Sequence, residues 1–179
     1  MARLAVIALV IAASFILVGC HKDSSKSPVL TTVSDAAPNA DSLYAEAVHL
    51  EKQAGPVVKD EDLLKMALDK YNELISKYPK SDKIDDAAFR MAGIYEYLKD
   101  YDKAVINYQR TYQWNPQTPT VARFKAAYIL DNQLGRRAEA LQIYQEALSK
   151  ITRSNEHRQW VALAEQRVKE LTGEVKPQP

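Results

Sequence analysis

Reactive side chains are sparse in this chain of 179 residues. It has one cysteine, Cys20, and three histidines, His21, His49 and His157. No histidine is matched by a second histidine or cysteine at metal-ligand spacing, so all three are expected to be surface residues and no metal site is expected. The five glycines are scattered, and neither G-x-x-x-x-G-K-[ST] nor G-x-G-x-x-G occurs, so no loop is built to cradle a phosphate. There is no G-x-S-x-G for a serine nucleophile. The carboxylate pair Asp85-Asp86 sits where a helix begins, and its attraction to the positive end of the helix dipole explains it without acid–base chemistry. Arg136-Arg137 opens another helix as a solvated turn. These side chains predict no catalytic residue, no cofactor and no small-molecule substrate.

Cys20 differs from the rest because of where it stands. Arg3 supplies a short positive start, and Leu4 to Val18 form an apolar run broken only by Ser14. A charged start followed by an apolar run too short for a comfortable membrane span is the design of a signal peptide. The tetrapeptide Leu17-Val18-Gly19-Cys20 resembles the lipobox of bacterial lipoproteins. That resemblance implies cleavage before Cys20, with diacylation of its thiol and acylation of the new amino group. Two or three chains anchor a protein stably where one does not. By the rule that holds for enteric bacteria, His21 after the cysteine implies export to the outer membrane. The expected segments are a signal peptide at 1–19, the lipidated cysteine and a linker at 20–40, a folded domain at 41–172 and a tail at 173–179.

Residues 21–40 are rich in Ser, Thr, Asp and Pro and show no helical or strand period, which predicts a flexible tether. A coil of that length spans roughly 25 Å root-mean-square. Without Arg3 the mature chain carries 23 basic and 23 acidic side chains, a balance with no overall pull on nucleic acid. The balance is uneven along the chain: the net charge is −3 from Val57 to Asp102 and +4 from Arg110 to Glu170. Solvated helix faces explain this, and an acidic front and basic rear that orient a partner is the sharper reading.

The folded part repeats itself. Ala67, Ala104 and Ala140 recur at 37 and 36 residues, each followed four residues on by Tyr71, Tyr108 or Tyr144. Pro79 and Pro116 follow the first two alanines by twelve. A recurrence of this length signals stacked supersecondary units. Within each unit the apolar residues follow an i, i+3, i+4, i+7 rhythm, as in Leu64, Ala67, Leu68, Tyr71, Leu74, Ile75 and Tyr78. No alternating strand pattern interrupts them. Helices are predicted at 41–54, 60–78, 83–98, 101–114, 119–133, 136–151 and 155–171. Asp60, Ser81 or Asp82, Thr118 with Pro119, and Ser154 or Asn155 are candidates to start them, and Gly173 to end the last. Ten tyrosines against three phenylalanines suggest half-covered rings with wet hydroxyls.

This pattern resembles the tetratricopeptide repeat (TPR), a helix–turn–helix unit. The second copy carries Met91, Ala92, Tyr95, Tyr101, Ala104, Tyr108 and Pro116 at the family's positions. The third keeps Phe124, Ala127, Gly135, Ala140, Tyr144 and Ala147, but has Tyr128 for a small residue, Asp131 for a tyrosine and Thr152 for the proline. The first is stretched between its helices by Gly55 to Lys59. The resemblance implies an all-α helical solenoid of about three pairs plus a capping helix.

It also implies a groove lined by the first (A) helix of each pair, which in this family holds a peptide or partner helix. The family's groove positions fall at Asp86, Phe89, Gly93 and Glu96 in copy two, and at Ala122, Lys125, Ile129 and Asn132 in copy three. For Phe89 and Ile129, core packing is an equal alternative. The segments YPKSDKIDDAAFRMAG and YEYLKDYDKAVINYQRTYQWNP are similar to the TPR lipoproteins of outer-membrane β-barrel assembly, and to periplasmic TPR proteins that coordinate cell-wall synthesis with division. The implied role is a membrane-anchored envelope scaffold that binds a protein or peptide partner and does not bind nucleic acid. Two alternatives stay open. A pilotin-like carrier would co-purify with a short secretin segment, and an accessory subunit of an envelope enzyme would change that enzyme's rate.

Overall fold

A computed structural model describes residues 39–117, 121–150 and 157–173. The expectations for the signal peptide, Cys20, the tether, Thr118, Pro119, Thr152, Ser154, Asn155 and residues 174–179 lie outside the described residues. Seven helices run in order: α1 (Ala40–Gln53), α2 (Glu61–Lys77), α3 (Ile84–Tyr97), α4 (Tyr101–Trp114), α5 (Val121–Asn132), α6 (Arg137–Lys150) and α7 (Arg158–Leu171). No strand occurs among the described residues. The chain is all-helical, and the arrangement is that of a TPR solenoid.

Local chemistry sets the helix ends. Asn39 and Ser42 form a reciprocal capping box at α1. The Asp60 carboxylate accepts from the amides of Asp62 and Leu63 at α2. Neither Ser81 nor Asp82 caps α3; its first flanking residue is Lys83, which makes no side-chain cap, while the Ser81 hydroxyl accepts from the Lys83 amide in the turn before it. Tyr78 and Asn115 leave the helical region just ahead of Pro79 and Pro116, because a proline ring crowds a preceding helical residue. Gly173 closes α7 at φ +80°, as its type predicts.

Packing follows sequence order: α1 on α2, α3 on α4, α5 on α6, each pair on the next, and α7 over α6 with a lighter contact to α5. Ala67, Ala104 and Ala140 are fully buried, which is what lets the helix axes approach closely, and Tyr71, Tyr108 and Tyr144 fill the wedges beside them. One cluster around Leu43, Leu64, Leu74 and Met91 joins α1 to α3; a second around Tyr108, Phe124, Leu130 and Tyr144 joins α3 to α7, and Tyr95 packs against both. Burying one such side chain contributes about 1.5–3 kcal/mol. Tyr128, too large for the usual small position, packs edge-on against Trp160 of the terminal helix. Phe124 stacks on the same indole. The third pair therefore has an aromatic cap where another pair would otherwise stack.

Candidate protein-binding face

The three buried tyrosines organise the face formed by α1, α3, α5 and α7. Each belongs to the second helix of a pair and lies beside a carboxylate of the first. The Tyr71 hydroxyl donates to Glu51 Oε1 at 2.9 Å, and the Tyr108 hydroxyl donates to Glu96 Oε2 at 2.7 Å. A base from the next odd-numbered helix completes each rung. Arg90 Nη1 reaches Glu51 Oε2 at 3.1 Å, and Lys125 Nζ reaches Glu96 Oε2 at 2.9 Å. In the third rung Arg167 of α7 grips both oxygens of Asp131, with Nε at 2.7 Å and Nη2 at 2.9 Å. There Tyr144 stands in the tyrosine's place with its hydroxyl buried and without a hydrogen-bond partner.

The rungs tie α1 to α3, α3 to α5 and α5 to α7. The first is the most elaborate. Arg90 Nε also donates to the Tyr44 hydroxyl at 2.8 Å, and that hydroxyl donates in turn to Asp86. Burial raises the pKa of Tyr71, Tyr108 and Tyr144 well above the ordinary phenol value, and the charges of Glu51, Glu96 and Asp131 respectively add to it. These rings stay protonated at neutral pH, so none is a phenolate nucleophile, and Tyr71 and Tyr108 act as hydrogen-bond donors. The expected half-covered rings with wet hydroxyls are corrected at these three, whose rings are fully covered with two of the three hydroxyls bonded to carboxylates, while Tyr44, Tyr78, Tyr95, Tyr101, Tyr112 and Tyr128 are half-buried. On the other side of α5, Arg123 is nearly inaccessible; its guanidinium lies 4.3 Å from the Tyr112 ring centre and its Nε bonds Glu146 at 3.2 Å.

Most of the expected groove positions reach this face. Asp86 is exposed and bonded to Tyr44, while Glu96 and Lys125 form the second rung. Phe89 is half-buried, edge-on to Tyr108 with ring centres 5.5 Å apart. Asn132 is exposed, its amide donating to the Tyr128 carbonyl. Gly93 is partly exposed, and a Cβ added there would meet nothing within 4 Å. Ala122 must be corrected, and for Ile129 the core alternative holds: they are 0% and 1% exposed, part of the core, and offer nothing to a partner. The reason is that α4, α6 and α7 all pack against α5, so eight of its twelve residues are buried. Sequence reasoning missed Tyr44, Glu51 and Arg90, which lie in the stretched first copy and one turn before Gly93.

The stretch between α1 and α2 presents Val57 and Val58 at 80% and 86% exposure. It is held by the Asp60 amide on the Ala54 carbonyl at 2.8 Å and by the Lys59 amide on the Tyr97 hydroxyl at 2.9 Å. Among the described residues, no group of three metal-ligating side chains is gathered and no helix is long and apolar enough to cross a membrane.

The model of the YfiO family, described as outer membrane lipoprotein, matches residues 32–163. This chain belongs to the YfiO family of outer membrane lipoproteins. The YfiO match runs through all three helix pairs and into α7, so it contains all of the first two rungs and Asp131 and Tyr144 of the third. It agrees with the resemblance of the repeats to the TPR lipoprotein of β-barrel assembly, and it makes the chain an envelope lipoprotein. No curated protein matches the sequence.

Proposed function

We propose that this YfiO-family protein is a scaffold held by lipids on Cys20 to the periplasmic face of the outer membrane, where it binds a partner protein or peptide on the face of α1, α3 and α5. The observation that carries the reading is the family match across the repeats. The rungs support it, because they fix the spacing of neighbouring helices and leave a rigid polar face. Assembly of outer-membrane proteins is the process favoured by the flavour of the repeats. In this reading the scaffold catalyses nothing and uses no cofactor, and the pairing of the rung carboxylates Glu51, Glu96 and Asp131 with bases supports a structural role for them.

In-cell crosslinking of the native lipoprotein, followed by mass spectrometry, tests the binding role. Reproducible capture of one or a few envelope proteins is expected, and recovery of abundant bystanders alone would refute it. The anchor is tested separately with Cys20→Ser, which is expected to leave the membrane fraction. Retention there would mean that lipidation is not what holds the protein.

A further inference from the structure

The third rung breaks the rule of the other two. In those, the hydroxyl of the buried tyrosine donates to the acid while the base binds the same carboxylate. In the third, Arg167 takes both oxygens of Asp131, and the buried Tyr144 hydroxyl has no partner among the described residues. Burial and then the Asp131 charge raise the pKa of that hydroxyl, and the Arg167 charge lowers it, so both groups lie close to it. A covered hydroxyl without a partner has lost the hydrogen bonds it makes to water, and so it opposes whatever covers it.

The helix that supplies Arg167 is held by one narrow stripe. Trp160, Ala164 and Arg167 stand at i, i+4 and i+7, with Val161 and Val168 half-buried beside them. Ala164 is the one buried residue of fourteen in α7, where each of the other helices buries three or more. The Trp160 ring lies against Phe124 and Tyr128 of α5, with ring centres 6.5 Å and 6.3 Å away. Parting α7 from α5 would leave neither charge without a neighbour. Arg167 is also bonded to Glu170 of its own helix, and Asp131 has the Tyr144 hydroxyl beside it as a donor.

We infer that α7 is a cap that opens while α1 to α6 stay folded. The Arg167–Asp131 pair is its latch, and the covered Tyr144 hydroxyl works against closure. Local opening of this kind belongs to elements with little buried apolar contact. The open state uncovers the Phe124 and Tyr128 rings and Asp131 at the end of the stack, the surface on which a further helix pair would pack. The opening goes beyond the binding reading above and does not depend on it.

Hydrogen–deuterium exchange of the full-length lipoprotein in detergent micelles, read by mass spectrometry, supplies the test. Amides of α7 are expected to exchange about tenfold or more faster than those of α3 to α6, after correction for sequence. Two substitutions act on the cap from outside it, so they leave the intrinsic exchange of α7 unchanged. Tyr144→Phe removes the hydroxyl that opposes closure and is expected to slow α7 about tenfold. Asp131→Asn weakens the latch and is expected to speed α7 about tenfold or more. Simple fraying of a terminal helix would respond to neither. Exchange of α7 no faster than that of α3 to α6 overturns the inference, because the cap then opens only with the whole fold. So do α7 rates that Tyr144→Phe and Asp131→Asn leave unmoved, because opening would then not involve the third rung.

Discussion

The third rung offers a quantitative test, because its two partners are buried unequally. The Asp131 side chain is 1% exposed and that of Arg167 is 26% exposed. Arg167→Leu strands a carboxylate in the interior beside the covered ring of Tyr144. Breaking a buried pair in this way costs about 3–5 kcal/mol. Asp131→Asn keeps the volume and leaves the arginine at the surface edge, still paired with Glu170, so its cost is expected at about 1.5–3 kcal/mol, the scale of a charge-assisted hydrogen bond. For a domain of this size 1 kcal/mol moves the melting temperature by about 3 °C. Arg167→Leu should therefore fall by about 9–15 °C and Asp131→Asn by about 5–9 °C. The double variant removes the stranded charge and should be more stable than Arg167→Leu alone. Circular dichroism melts of the four proteins, with urea titrations to confirm equal cooperativity, measure this. Equal losses in the two single variants that simply add in the double would refute the account of the rung.

Other outcomes follow from the same geometry. Tyr108→Phe removes a donor to a carboxylate and should cost about 1.5–3 kcal/mol, whereas Tyr144→Phe removes a buried hydroxyl without a partner and should be neutral or stabilising; denaturant midpoints of the two variants decide it. Lys99 holds a left-handed turn at φ 60°, in the place that Gly135 takes in the next pair, so Lys99→Gly should stabilise by about 1 kcal/mol in thermal melts. Burial raises the tyrosine pKa values, with Tyr112 pushed up to about 12 by burial and then by Glu146, against an ordinary value of 10.0. The folded state thus holds these protons more tightly than the unfolded chain. The stability they contribute is complete below pH 10 and is lost as pH rises from there through the folded values, by about 1.4 kcal/mol per pH unit for each ring. Stability measured alongside phenolate absorbance should show Tyr71, Tyr108, Tyr112 and Tyr144 ionising only as the protein unfolds; ionisation of these four near pH 10 in the folded protein would contradict it.

The helices were legible because periodicity, caps and prolines agree. All seven lie within about three residues of their expected bounds, the usual uncertainty of helix ends read from sequence. The face was only partly legible. A repeat register tells where a residue lies on its own helix, not what covers it, and so it assigns Ala122 to a groove that α5 cannot offer it and leaves Ile129 undecided between groove and core. The rungs were hidden for another reason. Their acids precede their tyrosines by 20, 12 and 13 residues, and each base comes from the following pair, so no fixed spacing marks them. Asp131 looked like a lost tyrosine, yet it is the acid of the third rung.

The claim that the face of α1, α3 and α5 is the working surface is tested most directly by comparing the two sides of the helix stack in living cells. Photoreactive residues at Asp86 and Asn132 sample the proposed face, and those at Met66 and Ile106, exposed on α2 and α4, sample the second-helix side. Discrete adducts from Asp86 and Asn132 with little from Met66 and Ile106 are the expected result. Adducts confined to Met66 and Ile106 would contradict it.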